Sequence, residues 1–341
     1  MAITIRILPR NKINSLAWDA CIANSHQRIL YGYSWYLDIV LPAPFWKWVG
    51  AVIANETGQY QTVMPIPLRR KVVAGITCAW VVHQPFFCQF LGVFSRQETL
   101  DPMPFFRVMQ QRFRYGSTVS MRQQPDTSLS FDTVRAATTH TLALSVGYDT
   151  IYQNYTHDRK QNLRRARREM STAVNWTIVE STDPEPLLTL FRENHADNID
   201  GGVTDWAYAV VRNLVIELSK RNLITLRYAC CDGRIEAGTL FVQEGNRIIY
   251  LFNAGSEIGR RRNARTLLID QMIREQAGHN DADEPLVFDF ESPEKLAIRE
   301  FYQSFGTSEE PFWEMRWNRL NPVENVLRRL LSAVRSGSKI F

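Results

Sequence analysis

Apolar and polar residues alternate from the start of the chain: Ile3, Ile5 and Ile7 take every second position, the period of a half-buried strand. Amphipathic stretches at 15–23 and 31–40 read as helices, the second stopped by Pro42 and Pro44. Strand-like runs follow at 46–54, 60–68 and 76–82, the first two joined by a turn at Asn55-Glu56-Thr57-Gly58. Another apolar run covers 86–94, residues 103–113 have a helical period, and a strand at 140–146 closes this half. Tyr152, Tyr155, Leu163, Ala166 and Met170 then recur at three- and four-residue spacing, which predicts one long helix over 148–170 and a domain junction there.

The second half predicts a strand at 174–179 and helices at 186–195 and 206–220. Strands at 224–231, 236–243 and 247–254, joined by turns at Asp232-Gly233 and Glu244-Gly245-Asn246, form an antiparallel meander. A basic loop leads to a helix at 265–276, then a strand at 286–290, a helix at 294–304, a strand at 312–317 and a last helix at 322–336. Both halves share an order of strand, helices and meander, compatible with a duplication. The expected class is mixed α/β.

Composition narrows this picture. A chain of 341 residues suits two domains of roughly 150 each. Nine Trp, twelve Tyr and eighteen Phe supply two cores, which excludes a disordered or fibrous protein. The five Cys form no CxxC and no Cys/His cluster with ligand spacing, so they read as small apolar residues of a reducing compartment, with no metal expected. The first residues lack the unbroken apolar core of a signal peptide, and the longest apolar stretch, 72–82, is too short to span a bilayer. A cytoplasmic location is expected.

The net charge of +5 matters less than where it sits. Lys160, Arg164, Arg167 and Arg168 fall on one helix face, away from the stripe of Leu163 and Ala166. Such a cluster suits an anion, such as a phosphate-bearing ligand or a nucleic acid. A solvated face partly neutralised by Asp158 and Glu169 is the alternative.

The segment 247–290 carries most of the chemistry. A strand leading through a helix to another strand implies a parallel pair with a right-handed crossover. The first backbone N–H groups of a helix beginning near Arg265 would lie at the sheet edge, where they attract phosphate. The preceding loop adds Arg260, Arg261 and Arg262. No Gly-x-Ser-x-Gly, Walker or Rossmann motif occurs, so hydrolase, NTPase and dinucleotide readings lack support.

The order of elements from Val174 to Trp317 resembles the GNAT acyltransferases. Aligned on Leu267-Leu268, the family's pyrophosphate loop corresponds to Gly259-Arg260-Arg261-Arg262-Asn263-Ala264, of which Ala264 alone fits. That departure moves weight from acetyl-CoA toward other acyl or aminoacyl donors. Tyr302 and Gly306 have the spacing of the family's Tyr that protonates the departing thiolate. The run Val287-Phe288-Asp289-Phe290, the segment 301–306 and the basic stretch 158–168 also resemble Fem-type peptidyltransferases, which pair two GNAT-like domains.

The resemblance implies two tandem GNAT-like domains, each a mostly antiparallel central sheet with helices on both faces and a splayed parallel strand pair. Their expected extents are 1–147, with a C-terminal helix at 318–341 packing back on it, and 148–317. The second domain would hold the donor, acyl-CoA or aminoacyl-tRNA acting as co-substrate, with no tightly bound cofactor. Backbone N–H groups of Phe252, Asn253 and Ala254 would polarise the carbonyl, and Arg260, Arg261, Arg262, Asn263, Ala264 and Arg265 would hold phosphate. Tyr302 would be the proton donor, and Asp289 or its neighbour Glu291 the base. The acceptor would be an amine, such as a cell-wall or nucleotide-linked precursor, with Lys47, Arg69 and Arg70 of the first domain contacting it. His83 could line the first domain's cleft, and His195 reads as structural. From a different class comes a catalytically inactive tandem module that binds an anionic partner through its basic helix.

Overall fold

The computed structural model describes residues 4–73, 76–171, 176–199, 202–279, 285–292, 295–326 and 328. In chain order its first elements are β1 (Arg6–Pro9), α1 (Ser15–Ala23), α2 (Ser34–Val40), β2 (Trp46–Ala54), β3 (Tyr60–Val73), β4 (Ile76–His83), β5 (Phe94–Ser95), α3 (Met103–Arg112) and β6 (Tyr115–Met121). Then come β7 (Thr133–Ala143), α4 (Tyr148–Gln153), α5 (His157–Ser171), β8 (Trp176–Ser181), α6 (Glu185–Asn194) and α7 (Asp205–Lys220). The remainder is β9 (Ile224–Cys231), β10 (Arg234–Glu244), β11 (Arg247–Gly255), α8 (Glu257–Arg261), α9 (Ala264–Gln276), β12 (Val287–Asp289), α10 (Leu296–Gln303) and β13 (Ser308–Asn318). Residues 1–137 with 312–341 make one compact unit and 138–311 the other.

In the first unit β1, β2, β3 and β4 form an antiparallel meander. After the α3 crossover, β6 returns parallel to β4 but meets it only at Val82↔Gly116 and His83↔Thr118. On its other edge β6 takes β13 as an antiparallel neighbour. Of the apolar run 86–94, only Phe94 joins a strand, β5, and Leu91 makes an isolated bridge to Met121. Conversely β6, Tyr-Gly-Ser-Thr-Val-Ser-Met, is too rich in small and polar residues to announce itself. Its Gly116 lies under Trp317, whose ring would sit 2.3 Å from any added Cβ.

His83 ends β4 with its Nε2 3.1 Å from the Arg69 guanidinium and its Nδ1 2.6 Å from Ser117 Oγ. Arg69 can only donate, so Nδ1 carries the imidazole proton and Ser117 accepts it. Burial, with Arg69 and Lys71 nearby, pushes the His83 pKa down to about 4 from 6.5. The unfolded chain therefore takes up a proton near pH 6.5 that the folded chain refuses until about pH 4. Stability should fall as pH drops through that window, by about 3 kcal/mol in total. Melting curves from pH 7 to 4 should show this acid-side slope in the wild type and a shallower one in His83→Gln.

In the second unit β8, β9, β10 and β11 repeat the antiparallel meander. The α8–α9 crossover then brings β12 back parallel to β11, and β7 pairs antiparallel with β12. The two units thus follow the same order of pairings. Helices cover both faces, as alternation along β10 shows. Ala237 packs with Ala264 and Leu268 of α9, whereas a Cβ on Gly238 would lie 2.9 Å from Leu187 of α6.

The long helix predicted over 148–170 is two helices. Between them Thr156 N donates to Ser304 O at 3.0 Å, and Gly306, at φ +73°, lies so close that a Cβ would meet Asn154 O at 2.8 Å. Backbone docking at 154–156 takes the chain out of helical geometry. Of the last predicted helix, residues 322–326 and 328 are helical and the rest lies outside the described residues. Cys21, Cys88, Cys230 and Cys231 form no disulfide among the described residues. Among the described residues no His/Cys/Asp/Glu group of metal-site size gathers, and no helix is long and apolar enough to cross a membrane.

Candidate functional site

The parallel pair β11/β12 is in register only at Arg247↔Val287, Ile248↔Phe288 and Ile249↔Asp289. There β12 ends, while β11 runs on to Gly255 against β10 alone. From Tyr250 onward no strand among the described residues pairs with the far edge of β11. The Gly255 N–H points to that edge, where it donates to His195 Nε2 at 3.2 Å. Strand alternation puts the Asn253 N–H on the same edge.

A bulge shapes this stretch. Tyr250 pairs with Phe241 and Phe252 with Leu240, so Leu251 is the extra residue. The shifted alternation puts Tyr250 and Asn253 on the face of α9 and α10. Phe252 turns the other way, its ring 4.9 Å from that of Phe191 in α6.

Arg265, in the first turn of α9, is the hub of the α9 face. Its Nη1 donates to Asn253 Oδ1 at 2.9 Å, and its guanidinium lies 4.6 Å from the Phe301 ring centre. Its charge also acts on Tyr250, Tyr302, Arg159 and His195. No side chain caps the start of α9. Arg159, only 7% exposed, packs over Phe301 and Phe305 and donates to Ser304 Oγ and Thr266 Oγ1, both at 2.8 Å. Among the described residues neither Arg159 nor Arg265 pairs with a carboxylate. Burying a guanidinium without a counter-ion is costly, and its affinity for the proton drops accordingly: Arg159 is lowered to about 10, by burial first and then by Arg265. The site is short of one anion.

Tyr302, 4% exposed, packs against Phe290 and Tyr250. Burial raises its pKa to about 12, eased by Arg265 and reinforced by Glu291. At neutral pH it is therefore a proton donor. Asp289 is fully buried and fully engaged. It receives Arg247 Nη1 at 2.6 Å, Thr139 Oγ1 at 2.6 Å and the Glu291 N–H at 3.0 Å. With these donors around it and no exposed surface, Asp289 holds β12 to its neighbours. Glu291, at φ +47°, is the carboxylate at the end of β12 that acts on Tyr302.

The basic residues of the predicted loop diverge. Residues Glu257–Arg261 are a short helix, α8, capped by Ser256 Oγ on Gly259 N. Arg260 reaches back to Gly255 O at 3.3 Å, Arg261 pairs with Glu257, and Arg262 points at Cys231 Sγ. Asn263 is left-handed, Ala264 opens α9 with its side chain buried, and only Arg265 meets Asn253. Gly259 has a packing role: a Cβ would lie 2.1 Å from Glu236 O. Gly259→Ala should lower the melting temperature by roughly 5–10 °C, because backbone cannot yield as a side chain does.

On α5 the basic face is partly spent. Arg167 pairs with Asp270 at 2.5 Å, and Lys160 donates to Gln153 O at 2.8 Å, leaving Arg164 and Arg165 exposed. The partner of Arg167 is Asp270, where Asp158 and Glu169 were the expected neutralising groups. In the first unit Lys47 and Arg70 lie over Trp80 and Phe45, and Arg69 lies over Trp46. Three members of the second unit's site were not singled out as such from sequence: Arg159, Tyr250 and His195. Arg159 had a signal, since 159, 163 and 166 share the buried stripe. Tyr250 and His195 had none beyond their residue type.

A profile for the acetyltransferase (GNAT) domain matches residues 157–290. No curated protein matches the sequence. The fold is similar to that of FemX at a TM-score of 0.63 and 11% identity, covering 94% of this chain and 99% of FemX. It is also similar to a tandem GNAT protein of the clavulanic acid biosynthesis pathway, at 0.51 and 11%, over 92% and 98% of the two chains. A conserved protein from Bacteroides thetaiotaomicron gives 0.50 and 10%, over 93% and 100%. The GNAT domain profile thus covers 157–290, and the chain as a whole has a fold similar to that of FemX and of the tandem GNAT protein.

Proposed function

We propose that the second unit binds an activated acyl donor, acyl-CoA or aminoacyl-tRNA, in the gap beside β11 and transfers its acyl group to an amine. The observation that carries this reading is the β11 edge without a strand partner among the described residues, beside an anion-deficient pair of arginines. Donor phosphate would sit on the uncapped N–H groups of α9 and on Arg265. The donor carbonyl would accept a hydrogen bond from the Asn253 N–H, which polarises it for attack. The amine forms the new C–N bond and loses its proton to Glu291. The bond to sulfur or oxygen breaks with its electron pair, and Tyr302 protonates the departing atom. Proton return from Glu291 to Tyr302 closes the cycle.

Asp289 has no proton-transfer role in this scheme; it fixes the end of β12. A cytoplasmic setting would supply either donor. Calorimetric titration with acetyl-CoA, longer acyl-CoAs and aminoacyl-tRNA tests the reading. One of these should bind, and Arg265→Ala should weaken it by about tenfold or more. If none binds, while salt-sensitive nucleic-acid binding appears and is lost on neutralising Arg164 and Arg165, the chain is an anion-binding module instead.

A further inference from the structure

The Tyr250 ring packs in the core against Phe241 and Phe288, but its hydroxyl serves no part of that packing. Tyr250 is the first residue of β11 beyond the pairing with β12, so it lies at the base of the gap. Its side chain is 2% exposed, and its hydroxyl has no hydrogen-bond partner among the described residues. A buried hydroxyl left unmade costs stability that a Phe would not.

Its surroundings say what is missing. The charged and phenolic groups acting on Tyr250 are Arg265 and Tyr302, whose ring centre is 6.1 Å away. Arg265 can only donate, and Tyr302 stays protonated. Tyr155, the neighbouring buried phenol without a bonded partner, differs because Asp270 acts on it as an acceptor. Among the described residues no carboxylate acts on Tyr250, and Arg265 donates to the Asn253 side-chain Oδ1. The absent partner is an acceptor atom.

We infer that the Tyr250 hydroxyl contacts the acyl donor itself, hydrogen-bonding, together with Tyr302, the heteroatom that leaves. This rests on the transfer reading above and adds a second phenol to it. As the C–N bond forms and the bond to sulfur or oxygen breaks, the electron pair collects on the leaving atom. Tyr302 gives that atom its proton; Tyr250 keeps its own and only shares it. Two donors on one atom of growing charge stabilise the breaking bond more than the intact donor.

The test is Tyr250→Phe, with melting curves and calorimetric titration against acetyl-CoA, free CoA and an aminoacyl-tRNA pool. Without ligand the variant should melt at or above the wild-type temperature. Its affinity for the donor that the wild type binds, and for the deacylated product, should fall about five- to tenfold. Equal affinity in the two proteins overturns the Tyr250 assignment and leaves the transfer reading standing. A lower melting temperature overturns it too, because the hydroxyl would then have a structural partner. If the wild type binds none of the three probes, both readings fall together.

Discussion

Tyr302→Phe should lower the rate of acyl transfer by about 10²–10⁴-fold, the range for losing a general acid. The melting temperature should hardly change, since no hydrogen bond within the described residues depends on the hydroxyl. Burial keeps this phenol protonated, and Arg265 beside it eases its brief loss of the proton. The rate can be followed as thiol released from acetyl-CoA, or deacylated tRNA from aminoacyl-tRNA, across a panel of amines. Donor affinity should shift far less than rate, because the proton moves only as the bond breaks. An unchanged rate would remove Tyr302 from the chemistry.

Asp289→Ala should be the most damaging single change to stability, costing about 3–5 kcal/mol and lowering the melting temperature by roughly 10 °C. It strips a fully buried partner from Arg247, which is then left with Glu310 at 2.5 Å. Thr139→Val removes only a neutral donor to the same carboxylate and should cost about 1 kcal/mol. Chemical denaturation of both variants gives the comparison. If Asp289→Ala instead melts like the wild type and fails only in transfer, the carboxylate is a base after all, as its place in the sequence first suggested.

That reversal shows what periodicity and spacing can carry. The meander, the crossover helix and the helix that ends before Gly306 were all legible, because each leaves a regular pattern of apolar residues, turns or glycine. Strand β6 was not, because it packs small residues such as Gly116 beneath Trp317 in place of presenting an apolar face of its own. The break between α4 and α5 was hidden too, since its cause is a backbone contact with residues 304–306 far along the chain. In the site, the run of arginines drew attention for its density, yet three of them point in three directions. What sequence alone could not show is which charge lacks a partner. Asp289 is paired with Arg247, whereas Arg159 has no carboxylate partner among the described residues, and both facts come from side chains distant in sequence.

Amide hydrogen exchange, with and without the donor that binds, tests the central claim most directly. Slowed exchange is predicted at two places only: the far edge of β11, at Asn253 and its neighbours, and the first turn of α9, at Ala264, Arg265 and Thr266. Donor binding that leaves both stretches unprotected would contradict the account.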